Sequence, residues 1–467
     1  MQPGRSGFIF AEIKIQHMKS KTLSKRMFRT STAVAAVALL GFPGAAAAAE
    51  ADDDTVQLSL GETLSLVESE NLQVLLNREV MEQAIQAAER ERSFLLPQVD
   101  VQATQTRSKF STAGQAFEAP QSTRNRFDAR IRGDLTLVDP ALIASYQAAR
   151  KGVRISQEEH EAVLQDVLQA SARIYLTHLR NIRRFEVIES NIERAQSLLE
   201  LAQAQLDAGV ATEIDLTRAR VQLAGERQSR LQQETVVYES ALNLKRLLDL
   251  DLRKEIELDD FVAHREAASE EPEVEERDVL RDRAEYRTAE RRLEQNKLEQ
   301  RAASWERFPT LSVFGDYGYA SGNAFDGDDQ EVWSAGVAVR VPVFEGFRIR
   351  SNRMLANSRR RATEIEIRDL EQEISSELLF AWQDLRSRLA QIEVAEENLE
   401  LAEDELRLAQ VRFEQGVADN REVIDAQNRV SQASDNLVEA FFGYNVSRLE
   451  YARVRGDVRL LLGDQVL

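Results

Sequence analysis

The sequence predicts a mainly α-helical protein with a small amount of membrane-type β-structure, built as a duplicated unit of strand, long helix and helical hairpin. Three observations carry this reading. Only eight prolines and twenty glycines punctuate 467 residues, so long uninterrupted helices are expected. The turn Gly209-Val210-Ala211-Thr212 returns as Gly416-Val417-Ala418-Asp419, and the same offset relates the heptad seams that lead into the two turns. Four segments alternate apolar and polar residues with period 2, the pattern of a strand with one greasy face and one wet face.

Taken in order, residues 1–49 read as a secretory signal peptide. Lys19, Lys21, Lys25, Arg26 and Arg29 precede an apolar run at 33–42, followed by Pro43, Gly44 and the alanines 45–49. Met18 is an alternative start. The apolar run is shorter than the ~20 residues a membrane-spanning helix needs, and no later stretch is long enough. Membrane contact is therefore left to strands or to a surface. The chain has no cysteine, which excludes disulfides, thiolate metal sites and a lipid attached through cysteine. Its formal charge of −19 argues against a nucleic acid partner, which requires neutralised phosphates.

The first repeat is placed at 50–256. A helix at 60–95 ends before Pro97, which opens an alternating strand at 99–106; a polar loop is expected at 107–126. The next strand places Phe127, Ala129, Ile131, Leu135 and Leu137 on one face. A helix at 140–209 follows, ~105 Å long at 1.5 Å per residue. Its seam is Phe185, Ile188, Ile192, Ala195, Leu199, Ala202 and Leu206, and a returning helix is placed at 212–250. The acidic stretch 257–277 reads as a linker or equatorial girdle. The second repeat, 278–457, answers with a helix at 278–307, a strand from Leu311 after Pro309, a loop at 320–330 and a strand at 333–343. Its long helix, 346–416, carries the seam Ile392, Ala395, Leu399, Ala402, Leu406, Ala409 and Phe413; a return at 419–456 and a tail at 458–467 complete the chain. Val394, Leu401 and Leu408 form a second stripe beside that seam. A helix with two stripes is packed on both sides, in a closed ring of helices or in a solid bundle. The lengths pair the return 212–250 with the helix 278–307, and the return 419–456 with the helix 60–95, each pair stacked end to end to match one long helix. Four strands cannot close a membrane barrel, for which eight is the smallest number, and open sheet edges are not tolerated in lipid. Several chains must contribute.

The motifs Leu95-Leu96-Pro97 and Phe308-Pro309 open strands. Val138-Asp139-Pro140-Ala141-Leu142 and Val343-Phe344-Glu345-Gly346-Phe347 turn strands into helices, and Gly416-Val417 runs on to Val423-Ile424-Asp425-Ala426-Gln427. With these motifs in this order, nearly the whole mature chain resembles the TolC family of bacterial outer-membrane channel-tunnels. The resemblance implies a homotrimer whose four strands per chain make a twelve-stranded β-barrel in outer-membrane lipid, continued by an α-helical barrel in the periplasm. It also implies efflux or type I secretion together with an inner-membrane transporter and a periplasmic adaptor, with no cofactor.

Function in such a protein is passage, and its chemistry lies at constrictions. Glu422 and Asp425, spaced i, i+3, share one helical face; the resemblance implies that they form an acidic ring at the closed periplasmic entrance, the alternative being a solvated acidic surface. Asp215, the repeat counterpart of Glu422, is expected with Arg218 and Arg220 among the contacts that hold the entrance closed. Gly209 and Gly416 read as helix C-caps, and the resemblance adds adaptor docking for them and for Val210 and Val417. Trp305, Phe308, Phe344 and Phe347 bracket the periplasmic ends of the later strands, while Tyr317, Tyr319 and Trp333 lie toward the far ends. Two such bands fit interfacial girdles, with core packing as the alternative. The four histidines share no metal spacing, and no phosphate loop, nucleophile elbow or dinucleotide fingerprint is present, so neither an enzyme nor a metal site is expected. The rival reading is a periplasmic coiled-coil adaptor or structural protein; two hairpins and four alternating strands favour the channel.

Overall fold

The computed structural model describes residues 55–110, 122–259, 276–323 and 330–466, all within one compact unit, Asp53–Leu467. The expected signal peptide, the centres of both predicted outer loops and most of the acidic linker lie outside the described residues.

Strand β1 (Thr55–Leu58) leads into α1 (Leu60–Glu70). A capping box fixes the start of α1: the Glu62 N–H donates to Ser59 Oγ at 3.2 Å, and the Ser59 N–H donates to Glu62 Oε2 at 2.9 Å. Asn71 divides the helix predicted at 60–95, because its side chain caps a new one, α2 (Leu72–Ser93), by accepting from the N–H groups of Gln73 and Val74. Strands β2 (Gln98–Phe110) and β3 (Ser122–Val138) pair over more residues than the alternation predicts. Positions 107–110 and 122–126 look like loop from their polar residues, but cross-strand pairing outweighs weak β propensity. Asp139 caps α3 (Pro140–Asp207) by accepting from the Leu142 N–H at 3.0 Å, and Pro140 sits where a missing N–H costs nothing.

Helix α4 (Glu213–Leu247) returns to β4 (Glu255–Leu258), which pairs in parallel with β1. Neither short strand was expected. The second repeat follows as α5 (Glu276–Asp282), α6 (Ala284–Trp305), β5 (Thr310–Ser321), β6 (Gln330–Arg340), α7 (Arg348–Glu414) and α8 (Asn420–Val454). A 3₁₀ stretch, Val458–Val466, takes the place of the expected tail.

The long helices α3 and α7, 68 and 67 residues, each span ~100 Å. Toward the strands, α2 packs on α3, α3 on α6 and α6 on α7; toward the turns, α4 packs on α3, α3 on α8 and α8 on α7. The seam residues Ile188, Ala195 and Ala202 are buried, as are Ile392, Ala402, Ala409 and Phe413. The short helices are spliced in line, but not in the pairs that length suggested. Asn71 Nδ2 at the start of α2 donates to the Leu247 carbonyl at the end of α4, at 3.0 Å. Arg283 Nη1, before α6, donates to the Val454 carbonyl at the end of α8, at 3.3 Å. Thus α2 continues α4 and α6 continues α8, each splice giving a terminal carbonyl a partner. Length could not decide this: α4 and α8 have 35 residues each, and α2 and α6 have 22 each.

At the equator, Leu64, Val67, Leu168, Tyr175, Leu244, Leu449 and Val458 form the main apolar core, where α1, the middle of α3, the ends of α4 and α8 and the 3₁₀ stretch meet. The buried Tyr175 hydroxyl lies 3.1 Å from the Leu58 carbonyl and 2.7 Å from that of Asp259, pinning the small sheet against α3.

Candidate functional site: the hairpin tips and the four-stranded sheet

Both hairpins turn by the same backbone device. Gly209 and Gly416 adopt φ of +77° and +70°, the left-handed conformation of a helix C-cap. The Gly209 and Val210 N–H groups donate back to the Leu206 and Gln205 carbonyls, and those of Gly416 and Val417 donate to Phe413 and Arg412. A Cβ built on either glycine meets nothing within 4 Å, so the requirement is conformational and not steric. Gly209→Ala and Gly416→Ala should each cost roughly 1–2 kcal/mol of local stability, with asparagine better tolerated; hydrogen exchange at the hairpin tips would measure this. Val210 and Val417 stand exposed beside these turns.

Asp215 is buried at the tip. It accepts from the Thr212 N–H at 3.0 Å and the Thr212 hydroxyl at 2.5 Å. Arg218 Nη1 donates to Asp215 Oδ1 at 3.4 Å and lies 3.8 Å from Asp419 Oδ2. The buried Asn420 amide donates to the Asp215 carbonyl at 2.6 Å, and the Gln205 amide donates to the Phe413 carbonyl at 3.0 Å. Asp215 and Arg218 therefore sit in a polar network that ties one hairpin to the other. Arg220 is exposed and makes no ion pair among the described residues.

Glu422 and Asp425 lie on the first turns of α8, beside the Val423, Ala426 and Val430 side chains that pack into the tip core. Each acid has a cationic neighbour: Arg412 Nη1 is 3.2 Å from Glu422, and Arg421 Nε is 3.9 Å from Asp425. Sequence reasoning missed Arg412, which reaches Glu422 across the turn, although the i, i+4 spacing of Arg421 and Asp425 was visible. Farther up the hairpins, burial pushes the Glu226 and Asp435 carboxyls above the usual carboxylate range, opposed by the nearby Arg194 and Arg184. The buried His178 ring shares a 2.8 Å hydrogen bond with Ser240, and burial, with Lys245 nearby, pushes its pKa down to about 4.

The strands form one antiparallel sheet in the order β2-β3-β5-β6. Its register aligns the two faces across every strand: Val101, Ile131, Tyr317 and Trp333 lie in one row, and Leu135, Val313 and Val337 in another. The first face is therefore apolar between these two rows; beyond the Ile131 row it carries Glu331 opposite Tyr319, and Gln105, Arg107 and Lys109 on β2. The second is polar, and its β2–β3 half lines a groove of about 590 Å³ with Gln102, Thr104, Arg124, Arg126, Asp128 and Arg132. There Arg130 donates to Asp128 at 2.6 Å and to Asp316 at 2.9 Å.

Of the aromatics singled out in the sequence, Trp305 and Phe308 precede β5, and Phe344 and Phe347 follow β6 with their rings edge to face at 5.5 Å. Tyr317 and Tyr319 pack edge to face at 6.1 Å, and Trp333 lies directly opposite Tyr317. All seven are partly or largely exposed.

A sheet with one apolar and one charged face, set above coiled helices as long as these, defines a protein that crosses a membrane through β-structure and extends helices to one side. Residues 63–249 and 277–441 match the family model of the outer membrane efflux proteins, and the chain belongs to that family. It is an outer-membrane protein, from a family of transport proteins and not of enzymes. Among relatives, it is 25% identical over 299 residues to a probable efflux pump outer membrane protein, TtgC, of Pseudomonas putida, covering 61% of this chain and 59% of that one. It is 21% identical over 437 residues to the outer membrane protein TolC of Vibrio cholerae, covering 86% and 94%. The match thus spans about three fifths of the length of TtgC. Among solved structures, the Campylobacter jejuni CmeC outer membrane channel superposes with a TM-score of 0.73 at 18% identity, over 85% of both chains. CusC superposes with a TM-score of 0.75 at 17% identity, over 85% of this chain and 92% of that one.

Proposed function

We propose that three copies of this chain form the outer-membrane exit duct of an efflux or type I secretion system. One observation carries the reading: both layers leave unlike edges open in the same order. The sheet ends in β2 on one side and β6 on the other. The helical layer ends in α4 on the first-repeat side and α7 on the second-repeat side. Ile214 and Val221 on α4, and Val394, Leu401 and Leu408 on α7, remain uncovered. Unlike edges that meet head to tail generate a ring, and three four-stranded sheets give twelve strands, an even number within the range of bacterial barrels. In that ring the apolar face meets lipid and the polar face lines the lumen. The similarity to an efflux pump outer membrane protein and to TolC supports passage of solutes through it. A periplasmic adaptor would dock at the turns carrying Val210 and Val417, and an inner-membrane transporter would load the duct.

Glu422 and Asp425 would line the narrow periplasmic entrance, where carboxylates favour cations. The Arg412 and Arg421 neighbours reduce the net field, so cation preference should be moderate. Replacing both acids (Glu422→Gln, Asp425→Asn) leaves the two arginines uncompensated and should shift planar-bilayer reversal potentials toward anions, with assembly intact. An unchanged reversal potential would return both residues to an ordinary solvated surface.

A further inference from the structure

Among the described residues, the β2–β3 hairpin is longer than its neighbour. Described pairing between β5 and β6 ends at Ala320 opposite Gln330, a level that matches Asp128 on β3. Pairing between β2 and β3 continues to Phe110 opposite Ser122. The hairpin thus runs five to six residue pairs farther, roughly 17–20 Å along the strand. One face of β2 changes character steadily along the strand and into this projection: Val99, Val101, Ala103, Gln105, Arg107, Lys109. The register puts Ala103 level with Tyr319, in the upper aromatic row. Arg107 is four residues beyond, about 14 Å along the strand and ~10 Å in height at the usual tilt.

That is the depth of the outer-leaflet headgroups, and the two basic side chains stand on the same face as the apolar residues below them. Both are exposed, and neither makes an ion pair among the described residues. No acid occupies that face of the projecting segment among the described residues; Thr123 and Asn125 are the β3 residues opposite. Arg124 and Arg126 point to the other, polar face. A strand reading apolar, amide, then basic follows the dielectric profile of a leaflet with anionic headgroups, and the long basic side chains can reach down to phosphate level.

We propose that Arg107 and Lys109 form a binding surface for the phosphate groups of a phosphorylated outer-leaflet lipid. The proposal rests on the reading that the apolar face meets lipid, which arginine substitutions in the apolar band test separately. The assembled protein in neutral detergent would be titrated with fluorescent bisphosphorylated lipid A, with the same lipid dephosphorylated, and with inorganic phosphate as competitor. Wild type should bind the phosphorylated form selectively. Arg107→Gln/Lys109→Gln should bind it about thirtyfold more weakly, as expected for two basic residues at a charged bilayer surface. Arg124→Gln/Arg126→Gln, on the other face of the same hairpin, should bind as wild type does, and inorganic phosphate at lipid concentrations should not compete. Unchanged binding in the first variant, equal loss in the second, equal binding of the dephosphorylated lipid, or full competition by inorganic phosphate would each overturn the proposal. Comparing only variants that retain the heat-modifiable assembled form keeps a folding defect from imitating a binding one.

Discussion

Replacing Leu135 with arginine is expected to abolish accumulation of folded protein in the outer membrane. Leu135 lies on the apolar face in one row with Val313 and Val337, midway between the Tyr319 level and the aromatics at the helix–strand junctions. Those limits, Tyr319 and Phe308, are eleven residues apart, close to the ~25 Å apolar band of a membrane barrel once tilt is included. Arginine at the midplane costs roughly 2–4 kcal/mol per chain, falling to about 0–1 near the interfaces. Ile131, two levels nearer the Tyr319 row, should give a smaller defect when replaced by arginine. The native Arg130 and Arg132, its immediate neighbours, are carried because they point to the opposite face. Quantifying folded protein in outer-membrane fractions would decide the matter, and equal tolerance of Leu135→Arg and wild type would show that the faces are assigned backwards.

The second large effect is expected at Gly318. A Cβ added there would lie 2.1 Å from the Ala129 carbonyl oxygen and 2.6 Å from Arg130 Cα. Both are backbone atoms of β3 that cannot move without parting the β3–β5 ladder. Gly318→Ala should cost about 3 kcal/mol or more, at the upper end of the range for forced overpacking, and leave little assembled protein. Gly315, three residues earlier on the same strand, is the control. A Cβ there meets only the Ser334 carbonyl at 3.7 Å, an ordinary contact, so Gly315→Ala should assemble normally. Equal heat-modifiable yields of the two variants would refute the close approach of β3 and β5 at this point.

How much of this could be read in the sequence varies with the length scale of the cause. The long helices, the heptad seams and the glycine turns were legible because periodicity and backbone conformation are local properties. The duplication also made Gly209 and Gly416 interpretable together. The splices at Asn71 and Arg283 were not legible, because equal helix lengths left two pairings with the same arithmetic. The missed strands β1 and β4 are four residues each, too short to show a period. Gly315 and Gly318 look alike in sequence and both pair with β3, and only the closer approach of the β3 backbone at Gly318 separates their roles. At the tip, Asp215 and Arg218 meet within one turn of α4, whereas the Arg412–Glu422 pair depends on how the turn brings α7 and α8 together.

In the proposed assembly each chain supplies one third of a closed duct. Native mass spectrometry of the full-length protein, extracted from outer membranes in mild detergent, tests it most directly. A single dominant species containing three copies, which separates only on denaturation, is expected. A folded monomer or dimer as the dominant species would contradict it: four strands cannot close a barrel, and eight would close one from two chains and not three.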